Sequence, residues 1–209
     1  MKIFLDVGAH AGQTTSAVLS SGHEYDKIYC FEPQRKMLKY LNLIASDKVI
    51  INDFGLFNQD CKKKIYWEKR RIGGGVYKDK FTKEFLKADE CEFRSASKWF
   101  AENIKDEYEV TLKINTEGSE CDIMDDLFAT REARKIDRLM IDFDVRKIES
   151  QKHREKEIRE KIKELGIKSV FLLGTEEESL MTWREINRYL CRREEWVHYW
   201  LNKLFLIKL

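Results

Sequence analysis

The chain has 209 residues, enough for one domain with a full core and too few for two comfortable ones. Its 39 Lys and Arg nearly balance 37 Asp and Glu, and a net charge of +2 argues against a dedicated nucleic-acid surface, which needs a clear basic excess. Five dispersed cysteines with no C-x-x-C pair give neither a disulfide framework nor a zinc signature, and no run approaches the roughly 18 apolar residues of a membrane span, so a cytoplasmic protein is expected.

Read in chain order, MKIFLDVGAHAGQTT predicts a buried strand over 3–7, interrupted by one acid, Asp6, and followed by a turn from Gly8 to Gly12. A helix is predicted over 14–21 and a second strand over 27–31, closing in YCFEP with Glu32. A helix over 34–45 and a strand over 49–54 follow. From 61 to about 97 the alternation breaks: KKKIYWEKRR leads to a loop, IGGGVY, and then to a polar helical stretch. Strands over 110–114, 139–143, 169–173 and 204–209 then alternate with helices over 119–129, 149–165 and 176–196. Ile158, Ile162 and Leu165 give the 149–165 helix its apolar face, as Trp183, Ile186 and Leu190 do for the last one. Continuous rather than alternating apolar strands between helices predict an α/β fold: one doubly wound, mainly parallel sheet in a single domain, 1–209, with an insertion after the third strand.

In such a sheet, ligands bind beyond the carboxyl ends of the strands, where the strand order reverses. Gly8 and Gly12 allow a tight turn and a close approach of backbone to a ligand. Glu32 stands twenty residues after Gly12, the spacing at which an acid reaches ribose hydroxyls. A dinucleotide fingerprint would need glycine where His10 and Gln13 stand, which disfavours a nicotinamide-dependent oxidoreductase. S-adenosylmethionine carries no phosphate. It needs a close glycine backbone, an acid for its ribose and acceptors for its ammonium, and Asp6 suits that set by orienting the loop or the ligand's amino-acid end.

The ordered pieces DVGAHAGQTT, CFEP, LKINTEGSE and LMIDFD resemble the FkbM-like S-adenosylmethionine-dependent methyltransferases, over about residues 3–144. The resemblance implies a class I methyltransferase (Rossmann-like) sheet of seven strands, the last of them, 204–209, antiparallel. It implies O-methylation of a hydroxyl on a sugar or glycan (a deoxysugar such as rhamnose, for example) or on a glycosylated small molecule. By motif matching, Asp6, Gly8, His10, Gly12, Gln13 and Thr14 would hold the methionine part and Glu32 the ribose. Asp53 and Phe54 stand at the end of the third strand, where adenine would sit. Two positions depart from the family pattern: His10 replaces an asparagine, and Asn115 replaces an aspartate.

Methyl transfer to an alcohol needs somewhere for the hydroxyl proton to go. Asn115 and Glu117 end the fourth strand, and Asp142 and Asp144 end the fifth. Both strands are expected beside the first, and both acids of the fifth are expected to point the same way. These four are the catalytic candidates, and Asn115, Asp142 and Asp144 could hold Mg²⁺ or Mn²⁺. The competing reading makes Glu117 and Glu120 caps of the helix starting near Ser119. In the insertion, Trp67, Arg70, Arg71 and Tyr77 flank the glycines and suit a sugar acceptor, although a plain surface hairpin fits as well. The rival function is a non-catalytic cofactor-binding module partnering a glycosyltransferase.

Overall fold

The computed structural model describes residues 1–20, 22–68, 74–81 and 86–172, the last three of them through their backbone only. The chain begins with β1 (Lys2–Val7), α1 (Gln13–Ser20), β2 (Lys27–Phe31), α2 (Arg35–Leu41) and β3 (Val49–Asn52). Next come β4 (Gly55–Phe57), β5 (Cys61–Glu68), β6 (Leu86–Ser95) and α3 (Ala96–Asn103). The last part holds β7 (Glu109–Ile114), α4 (Glu120–Ala129), β8 (Arg138–Asp142), α5 (Arg154–Glu164) and β9 (Lys168–Leu172).

Six of these strands form one sheet in the order β3-β2-β1-β7-β8-β9, every neighbouring pair parallel. Alternation along each strand sends side chains to two different cores. From β1, Ile3, Leu5 and Val7 join α3, α4 and α5 on one face, while Phe4 joins Val18 of α1 and Leu41 of α2 on the other. Burial on both faces is why these strands read as unbroken apolar runs. The chain builds outward from β1 to β3, then returns to place β7 on the other flank of β1. The strand order therefore reverses at the carboxyl end of β1, beside the turn that starts at Gly8.

Several expectations need correcting. The fourth long strand, β7, does neighbour β1, but the fifth, β8, lies one position farther out. The insertion is not a hairpin followed by a polar helix. It is a second, three-stranded sheet, β4-β6-β5, with β6 parallel to β4 and antiparallel to β5. In β6, Cys91, Phe93 and Ser95 are buried and alternate with exposed Glu92 and Arg94, a period of two that the charge density hides. α3 is an unpredicted helix. Ser95 caps it, its hydroxyl accepting from the Lys98 amide at 3.2 Å, and Ala96, Trp99 and Phe100 form its buried stripe. The 34–45 helix ends at Leu41 and continues as a 3₁₀ turn, and the 149–165 helix begins only at Arg154. The last predicted helix and the seventh, antiparallel strand lie outside the described residues, as does the helix stripe of Trp183, Ile186 and Leu190. Among the described residues, no helix is long and apolar enough to cross a membrane.

Candidate functional site

The turn after β1 is built on left-handed backbone: Gly8, His10 and Gly12 have φ of +76°, +51° and +85°. Its amides are used in order. Gly8 and Ala9 donate to the Phe31 carbonyl of β2 at 3.1 and 3.0 Å, and His10 donates to the Glu32 carboxylate at 2.9 Å. The second Glu32 oxygen accepts from the Gln34 amide at 2.8 Å. Glu32 thus ties the glycine turn to the turn after β2. Burial pushes its carboxyl up to about 7, with the two amides holding it back. His10 is pushed the other way, chiefly by burial and then by the Lys113 and Lys36 charges, against a 3.3 Å contact with Gln13.

Beneath the turn lies a buried ion pair. β1 and β7 pair in a register that sets Asp6 against Lys113, and the ammonium meets one carboxylate oxygen at 2.8 Å. Thr15 of α1 donates to the other oxygen at 2.7 Å, and Lys113 also donates to the Gly8 carbonyl at 2.8 Å. Asp6 is fully buried and reaches the loop only through Lys113, whose ammonium it shares with the Gly8 carbonyl.

The glycines answer to the protein's own atoms. A Cβ on Gly8 would stand 1.9 Å from the Asn115 carbonyl oxygen, and one on Gly12 would meet Ile44 and Leu41 at 2.7 and 3.2 Å. The close approach at Gly8 is therefore made by the end of β7. Thr14 is buried at the start of α1, and Asp53 is exposed after β3. Phe54 turns into the core, edge-on to Phe31 at 5.9 Å and under the Arg94 guanidinium at 3.9 Å, so it is a packing residue rather than an adenine wall.

The rim beyond β7 and β8 brings together two of the four catalytic candidates, through a residue not anticipated from the sequence. Lys80, from the insertion, is buried with its ammonium on the Glu117 carboxylate, on the Glu117 carbonyl at 3.1 Å and on Asp144 at 2.5 Å. Lys147 reaches the other Asp144 oxygen at 2.5 Å. Burial lowers the proton affinity of Lys80, but the two carboxylates outweigh it and the net shift is upward. Burial also raises Glu117, which Lys80 only partly offsets, whereas Asp144, with two lysines against its burial, is held down to about 2. Asp142 pairs with Arg146 at 3.2 Å and is pushed up to about 6, first by burial and then by Asp144. β8 stops at Asp142 and Asp144 opens a 3₁₀ turn, so the two acids do not share a strand face.

Asp142 and Asp144 are already paired with cationic side chains, and among the described residues no three His, Cys, Asp or Glu side chains are placed to hold an ion. Asn115 is half-buried, its amide N–H of the main chain bound to Val7 at 3.0 Å and its side-chain oxygen buried without a hydrogen-bond partner. The loop it begins is braced by Glu120 rather than Glu117. One Glu120 oxygen accepts from the Thr116 and Gly118 amides at 3.0 and 2.9 Å, while the other is buried and unpaired, and burial pushes this carboxyl up to about 7.

Of the acceptor-side candidates, Tyr77 donates its hydroxyl to Asp122 at 2.7 Å. Trp67 donates to Asp89 at 2.8 Å and lies under the Lys36 ammonium at 3.7 Å. Arg70 and Arg71 lie outside the described residues. An open cavity of about 560 Å³ sits at the opposite edge of the sheet, lined by the starts of β7, β8 and β9, where Glu109, Arg138 and Lys168 stand.

Sequence reasoning missed Lys113 and Lys80. Lys113 left a signal: a lysine inside the apolar run VTLKI, matched by an acid inside IFLDV. Lys80, in the run YKDKF, left none.

No family model matches this sequence, and no curated protein does. Among solved structures, the chain is similar to the crystal structure of methyltransferase FkbM from Methylobacillus flagellatus KT, with 12% identity and a TM-score of 0.44. That likeness covers 80% of this chain and 38% of the other, so this chain spans well under half of its length.

Proposed function

We propose that the chain is an S-adenosylmethionine-dependent methyltransferase acting on a hydroxyl of a sugar, a glycan or a glycosylated small molecule. One observation carries the reading: at the point where strand order reverses, a left-handed glycine turn is joined by a hydrogen bond, His10 amide to Glu32, to an acid closing the next strand. The ordered motifs quoted above support it. The donor set suits a sulfonium nucleoside better than a dinucleotide, because the turn offers carboxylate and amide oxygens and no glycine at positions 10 and 13. Glu32 keeps a free lone pair on each oxygen for ribose hydroxyls. The side-chain oxygen of Asn115, a residue whose main-chain carbonyl lies against Gly8, is unpaired and is an acceptor for an ammonium group.

When bound, the cofactor supplies an electrophilic methyl group. The chain's part is to hold the acceptor hydroxyl in line and take its proton. Glu117 fits that role, since of the two carboxylates on Lys80 it has the higher proton affinity and the more exposed side chain, 31% against 4%. A second reading, a cofactor-binding module without catalysis, is favoured by one observation: Glu117, Asp142 and Asp144 are all neutralised by Lys80, Arg146 and Lys147.

Calorimetric titration with S-adenosylhomocysteine tests what the two readings share. One-to-one binding with a dissociation constant below about 100 µM is expected, about −5.5 kcal/mol or better, weakened at least tenfold in Glu32→Ala. An absence of heat at millimolar ligand overturns both. Labelled cofactor with a panel of sugars then separates them, because transfer supports the enzyme and tight binding without transfer supports the module.

A further inference from the structure

Residues 74–81 run from the small sheet to the rim, and their two sides are held by different physics. On the small-sheet side, Tyr66 and Gly75 exchange two main-chain hydrogen bonds of 2.8 and 3.0 Å, and Val76 packs on the core of Phe57, Ile65, Cys91 and Phe93. On the rim side the fastenings are polar side chains from three points of the segment. Tyr77 holds Asp122 of α4, Asp79 accepts from the Ser150 hydroxyl at 2.8 Å, and Lys80 sits on Glu117 and Asp144. The fit beneath is close: a Cβ on Gly75 would stand 2.4 Å from the Glu117 carbonyl oxygen, and the space over Gly118 is filled by Ile148 and Tyr77.

We infer that residues 77–81 form a strap that lifts from the rim while Gly75 and Val76 stay on the small sheet, and that Lys80 is its latch. Polar fastenings can be exchanged for water, whereas releasing Gly75 and Val76 would break a two-bond main-chain bridge to β5 and expose the apolar side chain of Val76 as well. Lys80 is also a positioning residue, because an ammonium between them lets a buried carboxylate, Asp144, and a half-buried one, Glu117, sit together at the rim. When the strap is down, it covers the acids to which an acceptor would have to come. The strap itself rests on these contacts alone; only its meaning as a gate for an acceptor rests on the methyl-transfer reading.

Hydrogen exchange of the whole chain, read by mass spectrometry without any cofactor, tests the latch separately from that reading. In Lys80→Met, peptides spanning 77–81 and 115–120 should exchange at least tenfold faster, with peptides from β1 unchanged. Ammonium ion should restore their protection, and tetramethylammonium at equal concentration should not, since Met leaves only the room of the lost Nζ and only a cation with N–H groups can donate to both carboxylates. Unchanged exchange over 77–81, acceleration spread evenly over all peptides, or equal rescue by both cations would each overturn the inference. Should Lys80→Met fail to fold, the double variant Tyr77→Phe/Asp79→Ala removes the other two fastenings. It too should speed exchange over 77–81 several-fold ahead of β1, and no change there sinks the strap.

Discussion

Two clusters of charge lie along the carboxyl edge of the same sheet, and they are assembled in opposite ways. At the end of β1, Asp6, Lys113 and Glu32 belong to neighbouring strands of the main sheet, and their partners are mostly main-chain groups fixed by that sheet. At the ends of β7 and β8, Glu117 and Asp144 depend on Lys80, a side chain delivered by the insertion from 37 and 64 residues away. The first cluster is a rigid consequence of strand order. The second exists only while a separate piece of chain is seated on it. That contrast suits a site with a preformed half and an adjustable half.

The sharpest break in this contrast is Lys113→Met. Lys113 and Asp6 expose 3% and 0% of their side chains, so removing the ammonium strands a buried carboxylate. Such losses cost about 3–5 kcal/mol, and denaturant unfolding should show a midpoint lowered accordingly. The double change Asp6→Leu/Lys113→Met should cost less than Lys113→Met alone, because no charge is left unpaired. An additive double variant would mean that the two residues do not act as a pair.

Gly8→Ala against Gly12→Ala asks how much of the turn is imposed by the protein itself. Both positions have left-handed φ, worth about 1–2 kcal/mol against any side chain. Gly8→Ala must in addition displace the Asn115 carbonyl, part of the main chain, whereas Gly12→Ala meets the ends of two flexible side chains. Gly8→Ala should therefore cost about 3 kcal/mol or more, and Gly12→Ala about half of that, by thermal unfolding. Equal costs would show that strain alone, without the close approach, sets the requirement for glycine.

How much of this was legible follows from the same contrast. Glycine, acid and strand in fixed order announce the β1–α1–β2 unit, because each works on its near neighbours along the chain. The stripe of Ile158 and Ile162 in α5 and the apolar runs of β7 and β8 were legible for the same reason. The purpose of Gly8 was not, since the atom it makes room for belongs to residue 115 and becomes its neighbour only through sheet order. Lys80 was illegible because nothing in YKDKF separates a latch from a solvated lysine. β6 was misread because Lys87, Asp89, Glu90, Glu92 and Arg94 dilute its alternation, and α3 because its cap, Ser95, is also the last residue of that strand.

Glu120→Gln probes the boundary between the two clusters and carries the smallest effect. Glu120 is fully buried at the first position of α4, with one oxygen accepting from the Thr116–Gly118 loop and the other unpaired. Burial raises its carboxyl from 4.5 to about 7. The folded chain therefore holds a proton here that the unfolded chain releases between about pH 4.5 and 7, so this residue's contribution to stability is complete below that window and lost as pH rises through it. Glutamine keeps the accepting oxygen and never ionises. At pH 8 the variant should be more stable than the parent by about 2 kcal/mol, somewhat less than the shift implies at about 1.4 kcal/mol per pH unit, because the new N–H₂ must also be buried. At pH 5 the advantage should vanish. Thermal unfolding at both pH values reads the difference, and a gain independent of pH would show that Glu120 is ionised throughout and that its second oxygen is stabilised by a partner in solution.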